Sequence, residues 1–252
     1  MALYRTQAIV LRHCNMGEAD RIITLLSREY GKIRAVARGV KRPRNRLIGG
    51  TQIFTYSEFL IFEGKNLDNI SQCEIKESFF KIRDDLEKLT YASYMAELIN
   101  EFLPEREKNE EVFFLFLKTL HWILKGNDIE LIARFFEMKL LLLIGLLPYM
   151  ESCVYCGGSL EEGEIYFNAS MGGAVCSRCF RMGQESMQIE RGTLKLMRSL
   201  AVIKFEQLAL IKTSLNLKQE LERVMRSYIT YHLEKKLKSL EFLNKVKNKT
   251  MT

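Results

Sequence analysis

With 252 residues, 47% of them hydrophobic and 27% charged, the chain has room for one large domain or two to three small ones and the composition of an ordinary globular protein. Its longest apolar run, residues 140–147, falls far short of the roughly 20 residues needed to cross a bilayer, and no apolar stretch follows the first basic residue to make a signal peptide. The net charge of +7 is unevenly placed: residues 1–80 carry 13 Lys and Arg against 8 Asp and Glu, residues 81–150 carry 9 against 12, and residues 151–252 carry 16 against 11. A basic front, an acidic middle and a basic rear point to a modular, intracellular chain with a surface that faces a polyanion.

The first eighty residues read as β. Strands are expected at residues 4–12, 21–26, 33–37, 52–62 and 67–75, separated by turns at residues 16–20 and at Tyr30-Gly31-Lys32. Residues 52–62 alternate at period two, with Phe54, Tyr56, Leu60 and Phe62 on one face and Ile53, Phe59 and Ile61 on the other. Five short strands in this space predict a small closed barrel of the OB-fold type. Half of the aromatics must fill it, and the pattern leaves open whether Phe54 or Tyr56 stands outside to stack on a base.

Between the third and fourth strands, residues 34–46 hold six cations, Arg34, Arg38, Lys41, Arg42, Arg44 and Arg46, with no acid between Glu29 and Glu58. A charge run is usually only a solvated face. This one joins strands of a barrel type that often binds nucleic acid, and it is rich in Arg, whose planar fork matches phosphate oxygens and stacks on bases. These six residues are the expected DNA contact.

From about residue 77 the period turns helical. Residues 80–103, closed by Pro104, predict one helix; residues 110–124 and 129–147 predict two more, with Gly126-Asn127 as a C-cap signal and Asp128 as an N-cap. Residues 140–147 are apolar all round, so that stretch lies at the centre of a bundle or presents a groove, with Lys139 beside it. After a cysteine-bearing segment, residues 189–205 and a long amphipathic helix over residues 217–246, N-capped by Asn216, complete the chain. Lys235, Lys236, Lys238, Lys245, Lys247 and Lys249 suit a helix C-terminus, where cations oppose the macrodipole.

The cysteine segment carries the sharpest signal. Cys153-Val-Tyr-Cys156 and Cys176-Ser-Arg-Cys179 are two Cys-x-x-Cys knuckles nineteen residues apart, the spacing of a tetrahedral Zn²⁺ site. A short hairpin is expected between them, over residues 164–175. Two disulfides would need an oxidising compartment, and nothing points to export. His13, His121 and His232 all lie outside the segment, so the expectation is one closed, structural Zn²⁺ per chain rather than a catalytic metal with an open position. No phosphate-cradling Gly-rich loop, paired histidines or nucleophile motif appears, and Cys14 beside His13 points to the opposite face of its strand. The physical reading is a non-enzymatic nucleic-acid-binding protein of mixed α+β class. Its domains are a five-stranded barrel over residues 1–78 and a helical domain over residues 79–252, the latter interrupted by a zinc-finger lobe over residues 150–182. Two other readings are a zinc-ribbon adaptor that works through protein contacts and a zinc-dependent nucleic-acid enzyme using Glu161, Glu162 or Glu164 as base.

Three stretches carry a family resemblance: residues 17–26 (Gly-Glu-Ala-Asp-Arg-Ile-Ile-Thr-Leu-Leu), residues 31–40 (Gly-Lys-Ile-Arg-Ala-Val-Ala-Arg-Gly-Val), and Arg42-Pro43 through Arg46. Together they resemble the N-terminal signature of the bacterial recombination-mediator family RecO, and the order of parts agrees over the whole chain. The resemblance implies a cytoplasmic, nucleoid-associated protein that binds single- and double-stranded DNA and anneals complementary strands. It further implies partnership with RecR, docking of the acidic, hydrophobic tail of single-stranded-DNA-binding protein on the helical domain, and help in loading RecA recombinase.

Overall fold

The computed structural model describes residues 2–126, 128–180 and 186–250, without the side chains of residues 248–250. Asn127, residues 181–182 at the end of the expected zinc lobe and the side chain of Lys249 therefore lie outside it. Five strands, β1 (Leu3–Met16), β2 (Asp20–Ser27), β3 (Gly31–Ala37), β4 (Tyr56–Phe62) and β5 (Asp68–Glu77), close into a barrel in the order β1-β2-β3-β5-β4. β1 pairs with β4 to shut it, and β3 meets β5 in parallel at Ala35↔Asp68 and Val36↔Asn69. This is the expected OB-type barrel. Period-two alternation fills it: Ala8 and Val10, Ile23 and Leu25, Ile33 and Ala35, and Phe59 and Ile61 all point into one core.

The fourth strand begins later than its alternation predicts. Residues 47–55 fold into successive turns, with Thr51 N–H bonding Leu47 O, Gln52 N–H bonding Gly49 O and Thr55 N–H bonding Gln52 O. Phe54 sits in left-handed backbone (φ 68°) and is buried, its N–H donating to Val10 O at 2.8 Å. The turn breaks the period, so Ser57, Phe59 and Ile61 line the interior instead of a face begun at Phe54. Tyr56 points elsewhere: its hydroxyl donates to Gln7 Oε1 at 2.6 Å and its ring meets Phe113 edge-on. Neither ring is held out for a base.

The helices are α1 (Phe80–Arg83), α2 (Leu86–Phe102), α3 (Glu110–Leu124) and α4 (Ile129–Leu143), followed by strands β6 (Ile165–Asn168), β7 (Gly173–Cys176) and β8 (Ser186–Ile189). Helices α5 (Arg191–Val202), α6 (Phe205–Leu208), α7 (Leu215–Leu233) and α8 (Lys238–Thr250) follow. Several boundaries differ from their sequence expectations. The single helix expected over residues 80–103 is two, because the Asp85 carboxylate accepts from Lys88 N–H and caps a fresh start. Asp128 caps α4 as expected, but that helix stops at Leu143 rather than residue 147. Gly145 (φ 76°) donates to Leu142 O and Leu146 donates to Leu141 O, the paired bonds of a Schellman stop. Ile189 closes a strand and does not open a helix. The long terminal helix starts at Leu215, capped by Ser214 and not Asn216, and breaks at Glu234 (φ 53°) before α8.

Packing divides the chain into two compact units: residues 1–126 with 238–252, and residues 127–237. In the first, α8 packs on α2, and the Glu97 carboxylate of α2 takes the Ser239 N–H (2.8 Å), the Ser239 hydroxyl and the Lys238 N–H (3.3 Å). The barrel is tied to the segment after α2 at the β2–β3 turn. Arg106 N–H donates to Lys32 O at 2.8 Å, and Lys32 Nζ donates to Asn100 O at 2.5 Å. This approach requires glycine at position 31: a Cβ there would lie 1.8 Å from Glu107 O, at a φ of +66°.

Gly17 has a similar φ of +62° but open space around it, so the two glycines separate conformation from contact. Gly17→Ala is expected to cost about 1 kcal/mol. Gly31→Ala adds the displaced Glu107 segment and lowers the melting temperature several-fold further, at about 2–4 °C per kcal/mol for a chain of this size. Equal shifts in thermal denaturation would remove the Glu107 contact as the cause.

Candidate metal centre and nucleic-acid interface

In the second unit the two knuckles fold alike. Gly157 N–H donates to Cys153 O at 2.9 Å, and Phe180 N–H donates to Cys176 O at 3.0 Å, so each loop curls its second cysteine back over the first. The four Sγ atoms of Cys153, Cys156, Cys176 and Cys179 all lie within 4.8 Å of one another, with Cys156 and Cys176 3.8 Å apart. Four thiolates about 2.3 Å from a tetrahedral zinc stand about 3.8 Å apart, so the donor set fits a metal ion of that size and softness. Burial pushes the Cys153 thiol up, but the N–H groups of Cys176, Cys156 and Tyr155 outweigh it and bring it down to about 6. Hydrogen bonding to Cys156, with burial, raises Cys179 to about 12.

The lobe is a three-stranded sheet in the order β7-β6-β8; the hairpin β6–β7 was expected and the third strand was not. Tyr166 stacks on Phe180 beside the second knuckle, and Phe167 meets Tyr228 of α7 edge-on. Two arginines of α5 grip its backbone. Arg191 donates to Leu160 O (2.5 Å) and Gly163 O (3.0 Å) after the first knuckle. Arg198 donates to Met150 O (2.9 and 2.5 Å) and Glu151 O (3.2 Å) before it. Sequence reading missed both, since a cation in an amphipathic helix carries no mark of the carbonyls it will meet. Two of the three carboxylates considered as catalytic bases have structural partners: Glu164 accepts from the Tyr166 hydroxyl at 2.6 Å, and Glu161 pairs with Arg191 and Arg198.

In the first unit the basic segment is held in shape. Val40 and Leu47 are buried in the barrel core on either side of its tip. The Asp20 carboxylate accepts from Gly39 N–H at 2.7 Å, Lys41 N–H donates to Ala19 O, and Asn45 Nδ2 donates to Arg38 O. Asp20 and Gly39, one from each of two motif stretches, are thus two ends of one bond. Arg34 lies on β3, 3.9 Å from Glu105. Arg38, Lys41, Arg42, Arg44 and Arg46 are exposed, and none has an acidic partner among the described residues. Arg21, facing Ala37 across the β2–β3 ladder, stands at the root of the loop and was not in the sequence set.

Residues 140–147 show no uniform apolar surface. Leu140 and Leu141 are buried and Leu142 is exposed. Lys139 is committed within its unit: Nζ donates to Ala201 O at 2.6 Å and lies over the Phe135 ring, and burial holds it below the usual lysine value.

An OB-type barrel with an exposed basic loop, a helical remainder and a cluster of four cysteines define the class of this α+β protein. The comparisons with known proteins narrow it. The family description "Recombination protein O N terminal" matches residues 1–79, and "Recombination protein O C terminal" matches residues 83–241. The DNA repair protein RecO of Pelotomaculum thermopropionicum is 42% identical over 97% of this chain and 95% of its own length. That of Desulforamulus reducens is 41% identical over 98% and 96%, and that of Symbiobacterium thermophilum 39% over 98% and 99%. The chain belongs to the RecO family of DNA repair proteins. No described helix is long and apolar enough to cross a membrane.

Arg198→Ala is expected to free the segment leading into the first knuckle, raising amide exchange over residues 150–163. Losing hydrogen bonds from a charged donor costs about 1.5–3 kcal/mol. Arg198→Lys restores the charge without the fork and should recover only part of the protection. Unchanged exchange in the Ala variant would show that the lobe stands without this grip.

Proposed function

We propose that this protein is a DNA-binding recombination mediator that acts without catalysis in the bacterial cytoplasm, in association with the nucleoid. Residues 1–78 bind single- and double-stranded DNA through Arg34, Arg38, Lys41, Arg42, Arg44 and Arg46. The helical domain, residues 79–252, carries one structural Zn²⁺ in a lobe over residues 150–182, held by Cys153, Cys156, Cys176 and Cys179. Complementary strands anneal on the protein because a basic surface screens the repulsion between their phosphates, which needs no ATP. With RecR, and through the tail of single-stranded-DNA-binding protein, it helps to load RecA on coated DNA.

One observation carries the reading: five exposed cations without acidic partners sit on a loop pinned at both ends to the barrel. A loop held in this way binds without first losing the entropy of ordering itself. Arginine dominates it, and Pro43 fixes its tip between Arg42 and Arg44. The zinc assignment is supported by four cysteine sulfurs within 4.8 Å of one another, with Glu161 and Glu164 engaged elsewhere.

Replacing Arg38, Lys41, Arg42 and Arg44 with Ala is expected to weaken binding at all sequences alike and to flatten the salt dependence. Each lost contact removes about 0.7 from the log–log slope on single strands, so about 3 in all. Affinity for one oligonucleotide at several salt concentrations measures this. An unaltered slope in the folded variant would move the DNA site off the loop.

Purified protein is expected to hold one zinc per chain. Cys176→Ser should release it and lower solubility and melting temperature, since structural zinc in finger peptides contributes about 10–16 kcal/mol of binding energy. A variant that folds normally, keeps its zinc and loses only activity would make the metal something other than structural.

A further inference from the structure

The second unit carries a concave site that neither the basic loop nor the metal centre uses. It is a cavity of about 610 Å³ between the β6–β7 turn and the last two turns of α7, within the roughly 300–1,000 Å³ of ligand sites. Ser227, Thr230 and Tyr231 form one wall, and Lys235 and Lys236 lie at the end of α7. Glu234 is the one acid among its lining residues, and Arg226, also in the lining, is held by Glu222 one turn earlier.

We infer that this groove takes a short stretch of single-stranded nucleic acid, a second strand site on the same chain. The chemistry of its wall fits that occupant in three ways. Tyr231 is 49% exposed and meets His232 edge-on at 5.5 Å, which leaves ring surface for a base to stack on. The Ser227 and Thr230 hydroxyls are exposed, with no partner among the described residues, and hydroxyl donors of this kind bind phosphate oxygens. Lys235 and Lys236, both exposed, put positive charge where the backbone of such a strand would run. Cations past a helix end also offset its dipole, but the dipole calls for no cavity, stacking ring or donor row beside them. The space admits one or two nucleotides and is too small for a duplex. Annealing on a single chain would use two strand sites, and the barrel loop and this groove would each supply one.

The inference rests on the DNA-binding reading above, and the experiment keeps the two apart. Full-length protein and the variant Tyr231→Ala/Lys235→Ala/Lys236→Ala are compared in three measurements: single-oligonucleotide affinity, strand annealing, and photocrosslinking to an iodouracil-substituted strand. All three positions are exposed, so folding is checked by an unchanged melting temperature. The expected result is a crosslink at Tyr231 in the unsubstituted protein. In the variant, annealing should fall by about tenfold or more, from one lost stack and two lost phosphate contacts, while affinity for one strand at the barrel stays within about twofold. Undiminished annealing, or crosslinks confined to residues 34–46, overturns the groove and leaves the barrel reading standing. A protein that neither binds nor anneals DNA brings down both. If an acidic peptide ending in an aromatic binds the unsubstituted protein and not the variant, with annealing untouched, the groove is a peptide site and the strand inference falls.

Discussion

A carboxylate without exposed surface holds the N-terminal unit together. Asp68 opens β5, and its two oxygens take the Tyr4 hydroxyl at 2.5 Å, the Arg106 guanidinium at 2.7 Å and the Gly64 N–H at 3.0 Å. A charge this deep is tolerable only when paired and fully hydrogen-bonded. Burial, and then the bond to Asp68, push the Tyr4 hydroxyl far above the usual phenol range, so it remains a donor. Four segments meet at this one group: the first strand, the β4–β5 turn, β5 itself, and the chain leaving α2. Arg106 then delivers its own N–H to Lys32 O, which sets the β2–β3 turn against Glu107. The chain leaving α2 is thereby fixed to the start of β3, and the other end of that strand leads into the basic loop.

The same logic of pinning recurs where charge is displayed. Arg38 to Arg46 would repel one another on a free loop, and burying Val40 and Leu47 offsets that repulsion with apolar contact. In the second unit the pinning is done by donor groups that reach backbone carbonyls. A lobe of three four-residue strands buries too little to stand on its own core. The forks of Arg191 and Arg198 tie its backbone to α5 and supply part of what the core lacks.

The parts legible in the sequence were those with short-range rules. Period two marked five strands, paired x₂ spacing marked the four cysteines that the fold brings together, and Asp128 marked a helix start. The failures cluster where a distant partner decides. Phe54 looks like a strand residue until its left-handed backbone, bonded to Val10, places it in a turn. Residues 217–246 keep a helical period across Glu234, and the break there is matched by Glu97, more than a hundred residues earlier, capping the new start. Lys139 reads as a cation beside an apolar groove, yet its ammonium group goes to Ala201 O. The five cations of the loop, and Arg34 on β3, were visible in the sequence. What could not be read was that Asp20, from a different turn, holds their loop in place.

That capping of α8 by α2 has a consequence for how the molecule is made. Glu97 and the face of α2 leave the ribosome early, and the helix that completes them is encoded beyond the whole of residues 127–237. At about 5–20 residues per second, this interval is roughly 5–20 s. Through it the barrel and its first helices exist with a buried-to-be apolar face open, since Leu243 has no exposed surface to speak of once docked. The nascent N-terminal unit is therefore an incomplete body until α8, its last piece, is made.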